Sequence, residues 1–374
     1  MAAAVALAAV LGALAGCGDA DSTASTSDDP AAAAKVLETP TSLFRRALVP
    51  RGDDGIIDVV DADGSGDAAG VEITTITTTG PTTSRRVRLE GFDGGLVRVG
   101  AWHTPDGLVL TGIDCPADVV AQIEGGASPE EDVACPGERV IVPIAAEATT
   151  ARAVSARLGS EMRVVGVADD GTALLLDDVG GDPVLVRPDG TTVVLDSANN
   201  RAGADHAWNG GICAIDGKRE ALVTSSDVPA AGVFTTDDLA PAAGSTSYER
   251  FDLATGARIG TGTLPWPTVD VVCDGSTILA STHNNDVASI RLTDRAFPKA
   301  TQGVLHGGGG SPVMLLPGSP SNGTTFRNPD DGTTWTWRSP TGDGTAFYVA
   351  SGPLLAVGVG RAHLALTIQW LVAS

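Results

Sequence analysis

Lysine is nearly missing from this chain. Three lysines (Lys35, Lys218, Lys299) stand beside 21 arginines and against 46 acidic residues, for a formal net charge of −22. Such a field repels nucleic acid and anionic headgroups and attracts cations, so nucleic-acid partners are not expected. Aromatic residues make up only 4% of the 374 residues, which leaves Val, Leu and Ala to supply the core within a 43% hydrophobic share. No apolar run reaches the roughly 20 residues that span a bilayer. The most apolar late segment, "GPLLAVGVGRAHLALTIQWLVAS" (352–374), is broken by Arg361, His363 and Gln369 and reads as buried strands. No C-x-x-C or H-E-x-x-H occurs, so zinc and thioredoxin-type redox chemistry find no support. Ser311 and Ser321 lack the G-x-S-x-G frame of a nucleophile elbow, which leaves the "HGGGG" run at 306–310 without a partner nucleophile. The five histidines (His103, His206, His283, His306, His363) are scattered without ligand spacing. Long amphipathic helical patterns are almost absent, with 145–159 as the one ambiguous segment.

What is present, in quantity, is the short β-rich run. "LVRVGAW", "GLVLTGI", "ERVIVPI", "MRVVGVA", "TALLLDD", "REALVTS" and "AFYVASG" are bounded by Gly, Asp and Pro. Asp-Gly turns punctuate them at 106–107, 170–171, 189–190, 216–217, 274–275 and 343–344. A loose unit recurs: Asp-Gly, strand, polar turn, strand, further turn. Residues 167–197 form its clearest copy. Repeated four-stranded units predict an all-β propeller, whose ring closure protects the sheet edges. We expect about six to eight blades over residues 43–374. Two β-sandwiches are the competing architecture. "FDLATGARIGTG" (251–262) resembles the strand-turn-strand piece of pyrroloquinoline-quinone-type and related WD40-like propeller repeats, with Asp252, Thr255 and Gly256 in its D-x-x-T-G turn. The tryptophan that usually closes such a repeat is absent. The resemblance therefore implies the fold and speaks against a bound quinone.

The N-terminus has a different composition. Residues 2–13, "AAAVALAAVLGA", have the length of a signal-peptide apolar region and are too short to span a membrane. "LAGC" (Leu14 to Cys17) resembles the bacterial lipobox. The resemblance implies cleavage after Gly16, a diacylglyceryl thioether on Cys17, and anchorage to the outer face of the cell membrane through that lipid alone. The absence of Lys or Arg between Met1 and Cys17 departs from the usual basic start. The preference for Arg over Lys, with abundant Ala, Gly and Asp, resembles GC-rich actinobacterial usage. Residues 1–16 are thus expected to be a lipoprotein signal peptide. Residues 17–42, acidic and rich in Ser, Thr and Ala, are expected to be a disordered tether.

Beyond Cys17 four cysteines remain, and an even number in an exported chain points to disulfides. Of three possible pairings the sequence-local one is Cys115–Cys135 with Cys213–Cys273. The latter two each precede an Asp-Gly turn, as if they held similar places in neighbouring units.

"VDADGSGDAAGVE" is the sharpest internal motif. Asp61, Asp63, Ser65, Asp67 and Glu72 fall at positions 1, 3, 5, 7 and 12 of a calcium-loop pattern, with Gly66 at the turn. The flanking segments read as strands, so the loop looks like the Asp-rich calcium turns of FG-GAP propeller blades. Ca²⁺ is the one cofactor this spacing suggests. Trp335 and Trp337 alternate along one strand, where they serve either as a sugar-stacking platform or as core. The combined expectation is a lipid-anchored envelope propeller that binds or scaffolds an envelope protein or a glycan. The alternative is a propeller hydrolase acting on extracellular glycans or peptides.

Overall fold

A computed structural model describes residues 35–36, 45–51, 55–62, 69–77, 82–92, 94–124, 135–154, 158–177, 181–198, 207–215, 217–226, 245–264, 268–274, 277–282, 286–290, 301–302, 304–306, 313–316, 324–328, 332–337, 345–351, 354–360 and 367–372. Among them the strands form seven sheets, each a blade of a β-propeller.

A two-residue strand, β1 (Lys35–Val36), comes first and is used last. The first blade runs outward through β2 (Arg46–Arg51), β3 (Gly55–Ala62), β4 (Gly70–Thr77) and β5 (Thr83–Glu90). The second has β6 (Gly95–Thr104), β7 (Gly107–Cys115) and β8 (Arg139–Ala145), with a helix α1 (Ala117–Glu124) between the last two. Its expected fourth strand, β9 (Thr150–Arg152), instead pairs in parallel with β5 and becomes a fifth strand of the first blade. The described part of the ambiguous segment 145–159 is therefore strand and turn, not helix. The third blade contains β10 (Met162–Val167), β11 (Ala173–Asp177), β12 (Val184–Val186) and β13 (Thr192–Val194). The fourth contains β14 (Ala207–Ile215), β15 (Lys218–Ser226), β16 (Thr246–Asp252) and β17 (Arg258–Leu264). The fifth contains β18 (Thr268–Asp274), β19 (Thr277–Thr282), β20 (Asp286–Ile290) and β21 (Thr301–Gln302). The sixth contains β22 (Val304–His306), β23 (Val313–Leu316), β24 (Thr324–Arg327) and β25 (Thr334–Trp337). The seventh contains β26 (Thr345–Ser351), β27 (Leu354–Gly360) and β28 (Thr367–Val372), and β1 completes it: Lys35 pairs with Ile368 and Val36 with Thr367. The N-terminal side of the chain thus closes the ring. Lys35 and Val36 fall inside the stretch expected to be tether, so the ordered fold reaches further upstream than residue 43.

Burial follows radial position, as a propeller requires. A second strand has a neighbouring blade on each face, so both of its faces must be apolar. β11 begins Ala-Leu-Leu-Leu with all four buried, and in β7 only Asp114 is not fully buried. An outer strand needs less, and β17 is exposed at most positions. The core accordingly lies between blades. Leu96, Leu110 and Ile144 of the second blade meet Val59 and Val71 of the first. Leu174 and Leu185 of the third meet Phe251 and Val223 of the fourth. The expected strand surface of Trp335 and Trp337 belongs to this core, with Trp335 fully buried and Trp337 nearly so.

The turns explain the Asp-Gly punctuation. Asp170 and Asp189 each accept the backbone N–H two residues on, from Thr172 and Thr191. A short polar side chain thereby substitutes for a backbone partner. At the D-x-x-T-G turn, Asp252 accepts both the N–H and the hydroxyl of Thr255 at 2.8 Å. Gly256 then takes φ +71°, a value that only glycine adopts without cost. A Cβ there would also lie 2.4 Å from Val193 of the third blade, so this turn packs across a blade boundary. The same pair of backbone bonds recurs in the sixth blade, where Asn328 and Gly332 hold the places of Asp252 and Gly256.

Candidate functional site

The innermost strands (β2, β6, β10, β14, β18, β22 and β26) surround the propeller axis. Among the described residues the buried carboxylates, Asp58, Asp61, Glu220 and Glu249, are engaged by arginines. Asp61, fully buried, accepts Arg45 Nε at 3.0 Å, Arg45 Nη2 at 2.5 Å and the backbone N–H of Leu96 at 2.9 Å. Since Leu96 opens the second blade, this group staples two blades together at the start of their inner strands. Gly95 leaves the room: a Cβ there would sit 2.5 Å from Asp61 Oδ2. On the opposite face of the same strand pair, Asp58 takes Arg46 through Nε at 2.7 Å and through Nη2 at 2.5 Å. Farther around the ring, Glu220 is held by Arg250 at 2.6 and 2.9 Å. Glu249 gathers Arg258 Nη1 at 2.6 Å, the Ser197 hydroxyl at 2.5 Å and the Ala198 N–H at 3.3 Å. That hydrogen bond and the Glu249 charge raise the Arg258 guanidinium further above its ordinary range.

Two positions of the calcium-loop reading, Asp61 and Glu72, lie among the described residues, and they diverge. The pairing places Asp61 opposite Val71 and Glu72 opposite Val60, so the two carboxylates leave the hairpin on opposite faces. Asp61 points inward to Arg45. Glu72 is exposed and accepts the Ser84 hydroxyl of the adjacent strand at 2.5 Å. Asp63, Ser65 and Asp67 lie outside the described residues, as does Cys17. Among the described residues no three His, Cys, Asp or Glu side chains gather as a metal set.

The four downstream cysteines form two bridges. Cys115–Cys135 (Cα–Cα 5.5 Å) ties the end of β7 to the approach to β8 and spans α1, whose Val120 and Ile123 pack on Val97 and Ile113. Cys213–Cys273 (Cα–Cα 5.1 Å) joins β14 to β18, the inner strands of adjacent blades. The similar places suggested by their Asp-Gly contexts are the ends of two inner strands.

Basic side chains on the inner strands carry no sequence signal and were not anticipated. β6 contains a bulge: Val97 pairs with Ile113 and Gly100 with Thr111, so Arg98 and Val99 together oppose Gly112. Arg98 takes φ +54°, a left-handed conformation that glycine normally supplies at such a position. Its side chain is exposed. At the far end of the same strand His103 lies close to Arg51 of β2. Partial burial, and secondarily the Arg51 charge, hold its imidazole below the ordinary range.

Comparison with solved structures agrees with this architecture. The chain aligns over 90% of its length with virginiamycin B lyase from Staphylococcus aureus, covering 98% of that chain at 8% identity and TM-score 0.50. A streptogramin B lyase structure (96% of that chain covered, 11% identity, TM-score 0.49) and the WD40 β-propeller domain of Doa1 (95%, 12%, 0.49) match over the same share. At such identities the likeness concerns fold, and the class is a β-propeller. No family model matches the chain, and no curated protein matches it.

Proposed function

We propose that this chain is a lipid-anchored β-propeller that serves as a binding or scaffolding module on the outer face of the cell membrane. The observation that carries the location is the pair of disulfides. All four cysteines downstream of the lipobox lie at bridging distance in pairs, and such bridges persist in oxidising, extracytoplasmic compartments. A binding role is favoured over hydrolysis by the interior carboxylates. Asp58, Asp61, Glu220 and Glu249 are each met by an arginine. A glycosidase would need two carboxyl groups open to substrate instead. The partner is an envelope protein or a glycan.

Fractionation tests the anchor. The unmodified chain is expected in the membrane fraction of its host, and Cys17→Ala in the soluble exported fraction. A Cys17→Ala variant that stays membrane-bound would overturn the lipid anchor.

A further inference from the structure

From the bulge in β6 we propose that Arg98 is an anion-binding group of the central channel, one that recognises a carboxylate or phosphate on the ligand of this propeller. The inference rests on the binding role proposed above and is independent of the lipid anchor.

The geometry leaves Arg98 few other directions. Arg98 is the fourth residue of a ten-residue inner strand. One face of that strand packs on the first blade through Leu96 and Ala101. The other is covered through Val97 against α1 and through Trp102 against the third blade. One edge is paired to β7. An exposed side chain in mid-strand therefore opens on the remaining side, toward the channel. The bulge re-aims this residue and Val99 together, and bulges are over-represented next to active sites, where they redirect a side chain. A left-handed arginine costs folding free energy that a glycine would not, and such cost is retained where the side chain has a use. Charge adds to this. In a chain with 46 acidic and 24 basic residues, the inner strands of the first two blades each carry an exposed arginine, Arg51 on β2 and Arg98 on β6. A guanidinium carries five donors in a planar fork, enough to keep an intramolecular partner and still grip a carboxylate or phosphate.

The test uses Arg98→Gly, which removes the guanidinium while suiting the left-handed backbone. Calorimetric titrations at low ionic strength with inorganic phosphate and, separately, with citrate distinguish the two anion chemistries. At least one probe is expected to bind saturably to the unmodified chain. Arg98→Gly should weaken it about tenfold or more and should unfold at the same or a higher temperature. Arg152→Ala, which removes an exposed arginine of the outer fifth strand, should bind as the parent does. Three results overturn the proposal: neither probe saturates, Arg98→Gly binds like the parent, or Arg98→Gly unfolds at a lower temperature. The last would show that the arginine is kept for packing. None of these results bears on where Cys17→Ala fractionates, so the two proposals fail separately.

Discussion

Asp58 and Asp61 lie three residues apart on β3, yet they leave it on opposite faces and meet different arginines. Breaking such a pair from one side strands the other charge in the core. Asp61→Asn should therefore cost about 3–5 kcal/mol in urea unfolding, because Arg45 stays buried and charged. Glu72→Gln, on the exposed face, should stay within about 0.5 kcal/mol of the parent. Because Asp61 and Glu72 leave the hairpin on opposite faces, millimolar calcium or a chelator should leave the unfolding midpoint unchanged; a calcium-dependent rise would support the loop reading. The sequence displayed the spacing of five oxygen-bearing residues but not the direction of any of them. Direction depends on strand register, and the partner that decides it, Arg45, stands 16 residues upstream. Arg98 was equally hidden, because a bulge is a property of two strands and "LVRVGAW" shows only one.

Among elements, the strands with turn signals at both ends were readable, since Asp side chains and Gly backbones leave local marks. β9 was not: three residues with a parallel partner some sixty positions earlier have no local signature. α1 was missed for a similar reason. It is short, and its burial under the Cys115–Cys135 bridge holds it in place more than its own periodicity does. The Cys213–Cys273 bridge joins elements of different blades and closes a 60-residue span. In the chain-entropy view that closure contributes about 4 kcal/mol. A Cys213→Ser/Cys273→Ser double variant should lose close to that amount under non-reducing conditions. The Cys115→Ser/Cys135→Ser pair, closing 20 residues, should lose about 3 kcal/mol. Equal stability of the first variant and its parent would mean that the packing of Leu222 and Val271 between the blades is sufficient without the bridge.

For the molecule as a whole, a propeller was legible from the recurrence of strand and turn, but its seven sheets were not. The repeats are unevenly spaced, one blade lends a strand to another, and the closing strand is hidden in an acidic Ser/Thr/Ala stretch. Closure is testable. A chain beginning at residue 43 leaves the edge of β28 uncovered, where one beginning at 35 does not. The shorter chain should be less stable by about 1–3 kcal/mol, the net worth of a few ladder hydrogen bonds, as read by urea unfolding. Equal stability would show that the seventh blade needs no fourth strand. The same short strand has a mechanical consequence. Tension applied from the N-terminal side of the chain reaches Lys35 and Val36 before any other described part of the fold, and two paired residues are all that carry it there. Under load the ring should open at this seam first, as a weak link that yields while the bridged fourth and fifth blades stay closed.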